Sequence, residues 1–446
     1  MTFDDSSLAG PGDSVGGLPA LRRWLGPGFR ALRHRNYRLF FAGQGMSLIG
    51  TWMQRVALAW LVYDLTGSKL MLGIVGFAGQ ILTFLMAPLA GVLADHTDRR
   101  KLLVLTQALA MLQAFALAAL VFTGTINQWQ IILLSAVLGL INGFDIPIRQ
   151  SFIVEMLESR ADLPNAIAMN SFMVNSARLV GPSLAGVLIA AVGTAACFAI
   201  NGATFVAVIA ALLAMRTRPL ARPPQNGSVL RNVHEGLAYA CRFAPIRAIL
   251  LLLAAISLLG TSHTVLLPVF AQDILHGDPR TLGFLMAATG IGAMAGAVFL
   301  AMRPSVRGMG RIMAVACVLL GVSVIGFGMS HNKALSYCLL AVAGFGMMVQ
   351  FAGSNSLLQT LVDDDKRGRV MSLYVMAFMG MGPFGSLLAG WLAGRYGAQA
   401  TVIVSGACCI LAGGLFAARL PMLGRMAQPI YVRLGMAPEE SERARL

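Results

Sequence analysis

Charge is scarce in this chain. Only 12% of its 446 residues are charged, while 57% are hydrophobic, and the mean hydropathy is +0.73. A soluble protein carries roughly a quarter charged residues. The shortage excludes disorder, a collagen-like fibre and nearly every water-soluble fold, and makes lipid the expected solvent. Signatures of chemistry are missing as well. There is no Gly-x-x-x-x-Gly-Lys-Ser/Thr phosphate loop and no hydrophilic stretch able to hold an ATPase domain, which argues against primary pumping by this chain alone. No His/Cys/Asp group has metal-ligand spacing and no serine sits in a nucleophile elbow. The expectation is therefore no enzyme, no cofactor and no metal. Cysteine is limited to Cys197, Cys241, Cys317, Cys338, Cys408 and Cys409. Five lie in apolar runs, where cysteine behaves as a small hydrophobe, and Cys241 lies in a basic loop. No structural disulfide is expected. A secretory leader is absent: Asp4, Asp5 and Asp13 occupy the start, with no apolar core before a small-residue cleavage site.

What is present is a series of apolar runs. Crossing a bilayer takes roughly 20 mostly apolar residues, and twelve such runs occur, at about 39–63, 70–94, 102–123, 129–152, 166–191, 195–215, 247–271, 281–302, 311–329, 334–360, 369–393 and 399–419. Very short connections, such as Leu65 to Lys69, make many of them antiparallel neighbours. The net charge of +15 would suggest nucleic acid in a soluble protein. Here its location matters more, and no nucleic-acid partner is expected. With the N-terminus in the cytoplasm, the inner segments hold 28 of the 34 basic residues and the outer loops hold four, Lys69, Arg280, Lys333 and Arg395. Lysine and arginine in short loops stay inside, so both termini are expected in the cytoplasm of a bacterial inner membrane. Residues 1–18 read as disordered. Residues 19–38, with Arg22, Arg23, Arg30, Arg33, Arg35 and Arg38, read either as a segment against anionic lipid headgroups or as a positive flank that sets topology.

The chain repeats. Ser47-Leu48-Ile49-Gly50-Thr51 recurs as Ser257-Leu258-Leu259-Gly260-Thr261, and Leu72-Gly73 as Leu282-Gly283, both 210 positions on; Gly181-Pro182 recurs as Gly382-Pro383, 201 positions on. The order and the spans correspond. The organisation that follows is a basic segment at 1–37, a six-helix bundle at 38–215, a cytoplasmic linker at 216–246, a second six-helix bundle at 247–420 and a tail at 421–446. Two parallel six-helix halves are a plan of secondary transporters, with a substrate site near the midplane between the halves.

The residues after the second span, Gly91-Val92-Leu93-Ala94-Asp95-His96-Thr97-Asp98-Arg99-Arg100-Lys101, resemble the loop signature of the major facilitator superfamily. His96 departs from a usual basic residue and Asp98 from a usual glycine. The cognate loop, Arg303 to Arg311, lacks the Asp. Ala177-Arg178-Leu179-Val180-Gly181-Pro182-Ser183-Leu184-Ala185-Gly186 is similar to the signature associated with antiporters, with Ala177 and Ala185 where glycine is common. Gly50-Thr51-Trp52-Met53-Gln54-Arg55, Asp145-Ile146-Pro147-Ile148-Arg149-Gln150, Leu163-Pro164-Asn165-Ala166 and Arg367-Gly368-Arg369-Val370-Met371-Ser372 look like the bacterial transmembrane secretion effector branch that includes the enterobactin exporter. The resemblance spans about residues 32–420. It implies an all-α membrane protein of twelve transmembrane helices in two pseudo-symmetric halves, with spans one, four, seven and ten lining the cavity. It also implies that the start of span eleven lies near Asp95.

Candidate residues follow. A carboxylate is stabilised at a helix N-terminus, so Asp95, after Gly91, is expected to latch the cytoplasmic side against the start of span eleven, with Arg367 and Arg369. Arg99 and Arg100 are expected to add pairs there or to bind headgroups. Charges inside a bilayer cost at least about 2.5 kcal/mol and mark function by default. Four stand out: Arg55, Asp145, Arg149 and Arg178. Asp145 pairs either with Arg178, at similar depth, or with Arg149 at i+4. It is either a proton-coupling carboxylate or part of a permanent ion pair. The excess of arginine suits an anionic or zwitterionic substrate, because guanidinium forks fit carboxylate oxygens, and Arg55 is the leading contact. His263, at the repeat position of Met53, is a second titratable candidate. Gln54, Asn142, Gln350, Ser354 and Asn355 are expected either to line the cavity or to join helices by hydrogen bonds. Gly181, Pro182, Gly186, Gly382 and Pro383 are expected to bend their helices. The expected function is export of a small organic molecule, a siderophore-like anion or drugs, by proton antiport from a monomer. An uptake permease or uniporter of the same fold is the alternative, and a receptor or membrane-embedded enzyme without flux a remote one.

Overall fold

Backbone N–H and C=O groups find no partner in lipid, so a spanning chain must satisfy them within its own helices. Here every apolar run is helical. The computed structural model describes residues 29–216, 237–303, 305–363 and 366–433, without the side chains at 91, 92, 94–96 and 160. The spans, in order, are α1 (Arg35–Thr66), α2 (Lys69–His96), α3 (Arg99–Phe122) and α4 (Gln128–Phe152). The continuous helix Leu163–Ala214 supplies α5 (163–192) and α6 (194–214). The second half holds α7 (Ala244–Ile274), α8 (Pro279–Ala301), α9 (Met309–Met329), α10 (Lys333–Leu361), α11 (Arg367–Tyr396) and α12 (Ala398–Arg433). Ten described stretches are long and apolar enough to cross a membrane. Leu163–Ala214 contributes two spans, and α1 is a further one. α1 is 32 residues long, about 48 Å at 1.5 Å per residue, but its Gln44, Gln54 and Arg55 lower its hydropathy.

Local chemistry sets the ends. Gly67, at φ +58°, stops α1, and the Ser68 hydroxyl caps α2. Asp98 caps α3 by accepting from the backbone N–H of Arg100 at 3.0 Å. Asn127 and Gln130 form a capping box on α4. Gly193 turns α5 into α6 at φ +82°, a conformation that costs glycine nothing. Two spans carry a π turn beside a proline. One is Phe270–Ile274, after Pro268 in α7; the other is Met376–Gly380, before Pro383 in α11. Extra-residue turns of this kind absorb the hydrogen bond a proline cannot make. α7 is also broken at Gly260–Thr261.

The halves are built alike. α2 packs on α4 as α8 packs on α10, and α3 packs on α4 as α9 packs on α10; α1 packs against α5 and α6 as α7 packs against α11 and α12. Across the halves, α5 meets α8 and α2 meets α11.

Three boundaries differ from expectation. α12 continues through Pro421 and Pro429 to Arg433, past the expected end at 420. α7 starts at Ala244, inside the expected linker. Residues 29–37, within the expected basic N-terminal segment, dock on the protein. Ala31 N–H donates to Asn165 Oδ1 at 2.9 Å, Arg30 and His34 pair with Asp162, and Tyr37 Oη donates to the Ala166 carbonyl at 2.8 Å. The expected disorder at 1–18, Arg22 and Arg23, and most of the linker fall outside the described residues.

Candidate functional site

The two ends of the bundle differ. At the Gly67 end the halves touch closely and twice over. In the α2/α11 crossing, a Cβ built on Gly73 would lie 2.7 Å from the Ser386 carbonyl oxygen and 3.0 Å from Gly390 Cα. In the α5/α8 crossing, a Cβ on Gly283 would lie 2.5 Å from the Pro182 carbonyl oxygen and 3.0 Å from Gly186 Cα. Gly73 and Gly283 are repeat mates, so the crossings are equivalent under the internal symmetry. Polar ties reinforce them. Tyr63 Oη donates to Asp273 Oδ2 across the halves, and Gln80 Nε2 donates to Ser386 Oγ at 3.3 Å. Phe77 meets Phe384 edge-on at 5.7 Å. Beside these ties a cleft of about 360 Å³ is lined by Lys69, Asp273, Tyr396 and Gln399, among others.

At the other end, the basic one, several ties between described residues lie within one half. Arg99 forms an ion pair with Glu155, and both side chains are buried. Arg100 caps the end of α6 through the carbonyls of Leu212 at 2.7 Å and Leu213 at 2.6 Å. Asn36 holds Arg216. In the second half, Arg433 pairs with Asp363 at 3.1 Å, and Tyr239 also reaches Asp363. These bonds of Arg99 and Arg100 fasten α3 to its own half. The Gly91 and Asp95 side chains are outside the described residues. Arg367 and Arg369 begin α11 at this basic end.

Between the ends lies a cationic cluster. Arg55 and Arg178 both lie over the ring of Trp52, with guanidinium carbons 4.6 and 5.6 Å from its centroid. These distances bound the separation of the two guanidinium carbons at about 10 Å. Arg55 is exposed and Arg178 is half-buried. Gly181 makes this geometry. A Cβ there would lie 2.5 Å from Trp52 Cβ, so the glycine lets α5 press on α1 beside the ring. Gly181-Pro182 thus serves as a helix contact, and Gly193 is where the backbone within Leu163–Ala214 leaves helical dihedrals. Gly382-Pro383 does follow an irregularity, the π turn of α11. His263 is fully buried on α7, within electrostatic reach of Arg178. Its Nδ1 lies 3.0 Å from the Gly260 carbonyl, and its Nε2 meets no hydrogen-bond partner.

Asp145 is not near this cluster's partners. Its Oδ2 pairs with Arg149 Nε at 3.3 Å, while Oδ1 accepts from Gln107 Nε2 at 2.6 Å and lies 3.0 Å from Thr106 Oγ1. The i+4 alternative therefore holds, and the Arg178 pairing is corrected. For Gln54 the helix-joining alternative holds. It faces α3 and α6, donating to Gln113 Oε1 at 2.9 Å and accepting from Asn201 Nδ2 at 2.7 Å. Gln350 and Ser354 are fully buried and bond each other at 3.3 Å, which joins a helix to itself rather than opening to a cavity. Asn142 and Asn355 are half-buried.

Trp52, Tyr63 and Asp273 had no role in the sequence reading. Asp273 stands 210 positions after Tyr63, the same offset as the repeat, so the signal was present: repeat mates on α1 and α7 flank the symmetry axis and can meet there.

Comparisons agree with this architecture. The family model described as "Transmembrane secretion effector" matches residues 27–431. A staphyloferrin A transporter of Staphylococcus aureus is 25% identical over 370 residues, covering 83% of this chain and 92% of that protein. The multidrug efflux pump Tap of Mycolicibacterium fortuitum is 27% identical over 403 residues, covering 87% and 95%. A bacterial homologue of the human lysosomal transporter Spinster, solved in an inward-facing and unoccupied conformation, aligns with a TM-score of 0.68 at 14% identity, covering 89% of this chain and 98% of that one. This chain belongs to the transmembrane secretion effector family of the major facilitator superfamily, a family of multi-pass membrane transporters and not of enzymes.

Proposed function

We propose that the chain exports a small organic molecule across a bacterial inner membrane in exchange for protons, acting as a monomer with both termini in the cytoplasm. One observation carries the alternating-access part: the close packing between halves is gathered at the Gly67 end, in two symmetry-related glycine crossings. Packed interfaces are bistable and do not deform continuously. Rocking the halves apart at these crossings is thus one discrete step, and closing the basic end is its counterpart. With the basic end in the cytoplasm, the present arrangement is the cytoplasm-open state. It accepts cargo from inside, as an exporter must. The Asp95 loop, with Arg367 and Arg369, is then the latch of the opposite state. Arg33 and Arg38 suit anionic lipid headgroups.

Two groups are proposed for the proton. His263 lies at the seam between halves and has a free Nε2, so rocking changes its surroundings. Asp145, with Arg149, has all its partners within one half and moves with them. The geometry favours His263, with Arg178 as the nearby charge that a proton there would oppose.

The test uses inside-out vesicles energised by respiration and a mixed panel of siderophores, dyes and antibiotics. Uptake should stop when the pH gradient alone is collapsed with nigericin. If uptake follows only the electrical potential, collapsed by valinomycin with potassium, proton antiport is wrong. Accumulation only in right-side-out vesicles would favour the uptake permease.

A further inference from the structure

We infer that Arg55, Arg178 and Trp52 form a binding site for an organic molecule carrying two or more oxyanion groups. Each guanidinium has five N–H donors. Neither Arg55 nor Arg178 makes a hydrogen bond or an ion pair with any described residue. Among the described residues, the one acid buried within the first-half spans, Asp145, is committed to Arg149, Gln107 and Thr106. Two like charges are thus held near each other inside a membrane protein with no counter-charge among the described residues. Trp52 explains how they are held: a cation over a tryptophan ring is attracted by its π surface. No described residue takes their N–H forks, the part that recognises carboxylate or phosphate, so the forks are free for a ligand. Both forks start from one ring, so their spacing is fixed before any ligand arrives. A single carboxylate satisfies one fork; a molecule with two oxyanions satisfies both.

The position suits cargo. Arg55 belongs to α1 and Arg178 to α5, and α5 carries the α5/α8 crossing two turns further on, at Gly186. Gly290 of α8 packs against the backbone of Arg178 itself, a Cβ there lying 3.2 Å from the Arg178 carbonyl oxygen. A ligand drawn onto Arg178 therefore bears directly on the contact that must part when the halves rock. A polyanion also moves down the electrical gradient when it leaves a cell whose interior is negative, so the site and the export direction are energetically compatible. The inference rests on the transport reading for what happens after binding, but binding itself is measurable without flux.

Full-length protein in lipid nanodiscs is titrated by calorimetry with citrate, with inorganic pyrophosphate and with the hydrophobic cation tetraphenylphosphonium. Citrate, pyrophosphate or both should bind, and the cation should not compete with them. Arg55→Gln and Arg178→Gln should each weaken binding about tenfold to a hundredfold, the range for a charge-assisted hydrogen bond. Arg55→Lys and Arg178→Lys should keep part of the affinity, retaining charge while losing the fork. Lys333→Gln, an exposed charge at the outer rim, should bind like the unaltered protein. Melting curves of each variant separate a lost site from a lost fold. Which anion binds distinguishes carboxylate from phosphate cargo. The inference is overturned if neither anion binds at millimolar concentration, if both glutamine variants bind as well as wild type, or if tetraphenylphosphonium displaces the anion. Failure of flux with intact, arginine-dependent anion binding would sink the export reading and leave the site standing.

Discussion

Asp145 shows what a charge inside a span can be for. Its carboxylate has a cation and two neutral polar partners, all drawn from α3 and α4, and nothing in that set changes when the halves rock. A carboxylate held this way is a rivet between two helices. Removing one partner of a fully buried pair costs about 3–5 kcal/mol. Arg149 keeps some access to solvent, so Asp145→Asn should cost less, about 1–3 kcal/mol. The expected outcome is a lower melting temperature in detergent together with unchanged sensitivity of transport to the pH gradient. Loss of that sensitivity in a variant that melts normally would return Asp145 to the coupling role. The sequence made the charge visible but not its partner. Depth along a helix is readable at 1.5 Å per residue, whereas rotation about the helix axis is not. Gln54 stayed open between two roles for the same reason, since its spacing allows the cavity and the α3/α6 interface equally.

At the scale of elements the sequence was more legible. Lipid demands helices of known length, so all the spans and the 210-residue offset could be read directly. What escaped were rotations and irregularities. Lipid tails are as apolar as a packed interior, so apolar residues occur on every face and periodicity cannot tell core from lipid. The π turns of α7 and α11 leave no mark beyond a nearby proline. The glycine crossings are the exception, because Gly73 and Gly283 were found as repeat mates before they were found as contacts. Their role is testable. Spin labels on Lys69→Cys and Gln399→Cys, which flank the cleft at the closed end, in a background with Cys241 and Cys338 replaced, report the gap between halves. Gly73→Leu puts side-chain atoms where 2.7 Å of space exists, and such overpacking costs about 1–3 kcal/mol. It should populate a second, longer distance. Tyr63→Phe removes one bond to a solvent-exposed carboxylate, worth about 1 kcal/mol, and should give a smaller shift in the same direction. A single unchanged distance in the leucine variant would mean that the crossings do not hold the end closed.

For the whole molecule, everything directional depends on which end faces the cytoplasm. The closed end bears Lys69, Arg280, Lys333 and Arg395, and the remaining basic residues outside the spans gather at the other end. If the basic end is inside, the present state is open to the cytoplasm and the oxyanion site of Arg55 and Arg178 is loaded from within. If it is outside, the same coordinates describe an importer waiting for external cargo, and the Asp95 loop becomes an outer latch. One thiol decides. Cys241 is exposed just before α7, at the basic end. A membrane-impermeant maleimide should label it in inside-out vesicles and not in intact spheroplasts, with Cys338→Ser removing the other exposed thiol. Lys333→Cys, placed at the opposite end in a Cys241→Ser, Cys338→Ser background, should show the reverse pattern. Labelling of Cys241 from outside would overturn the orientation and the export direction together. It would leave the fold, the glycine crossings and the paired arginines as they are, because none of those depends on which side of the membrane they face.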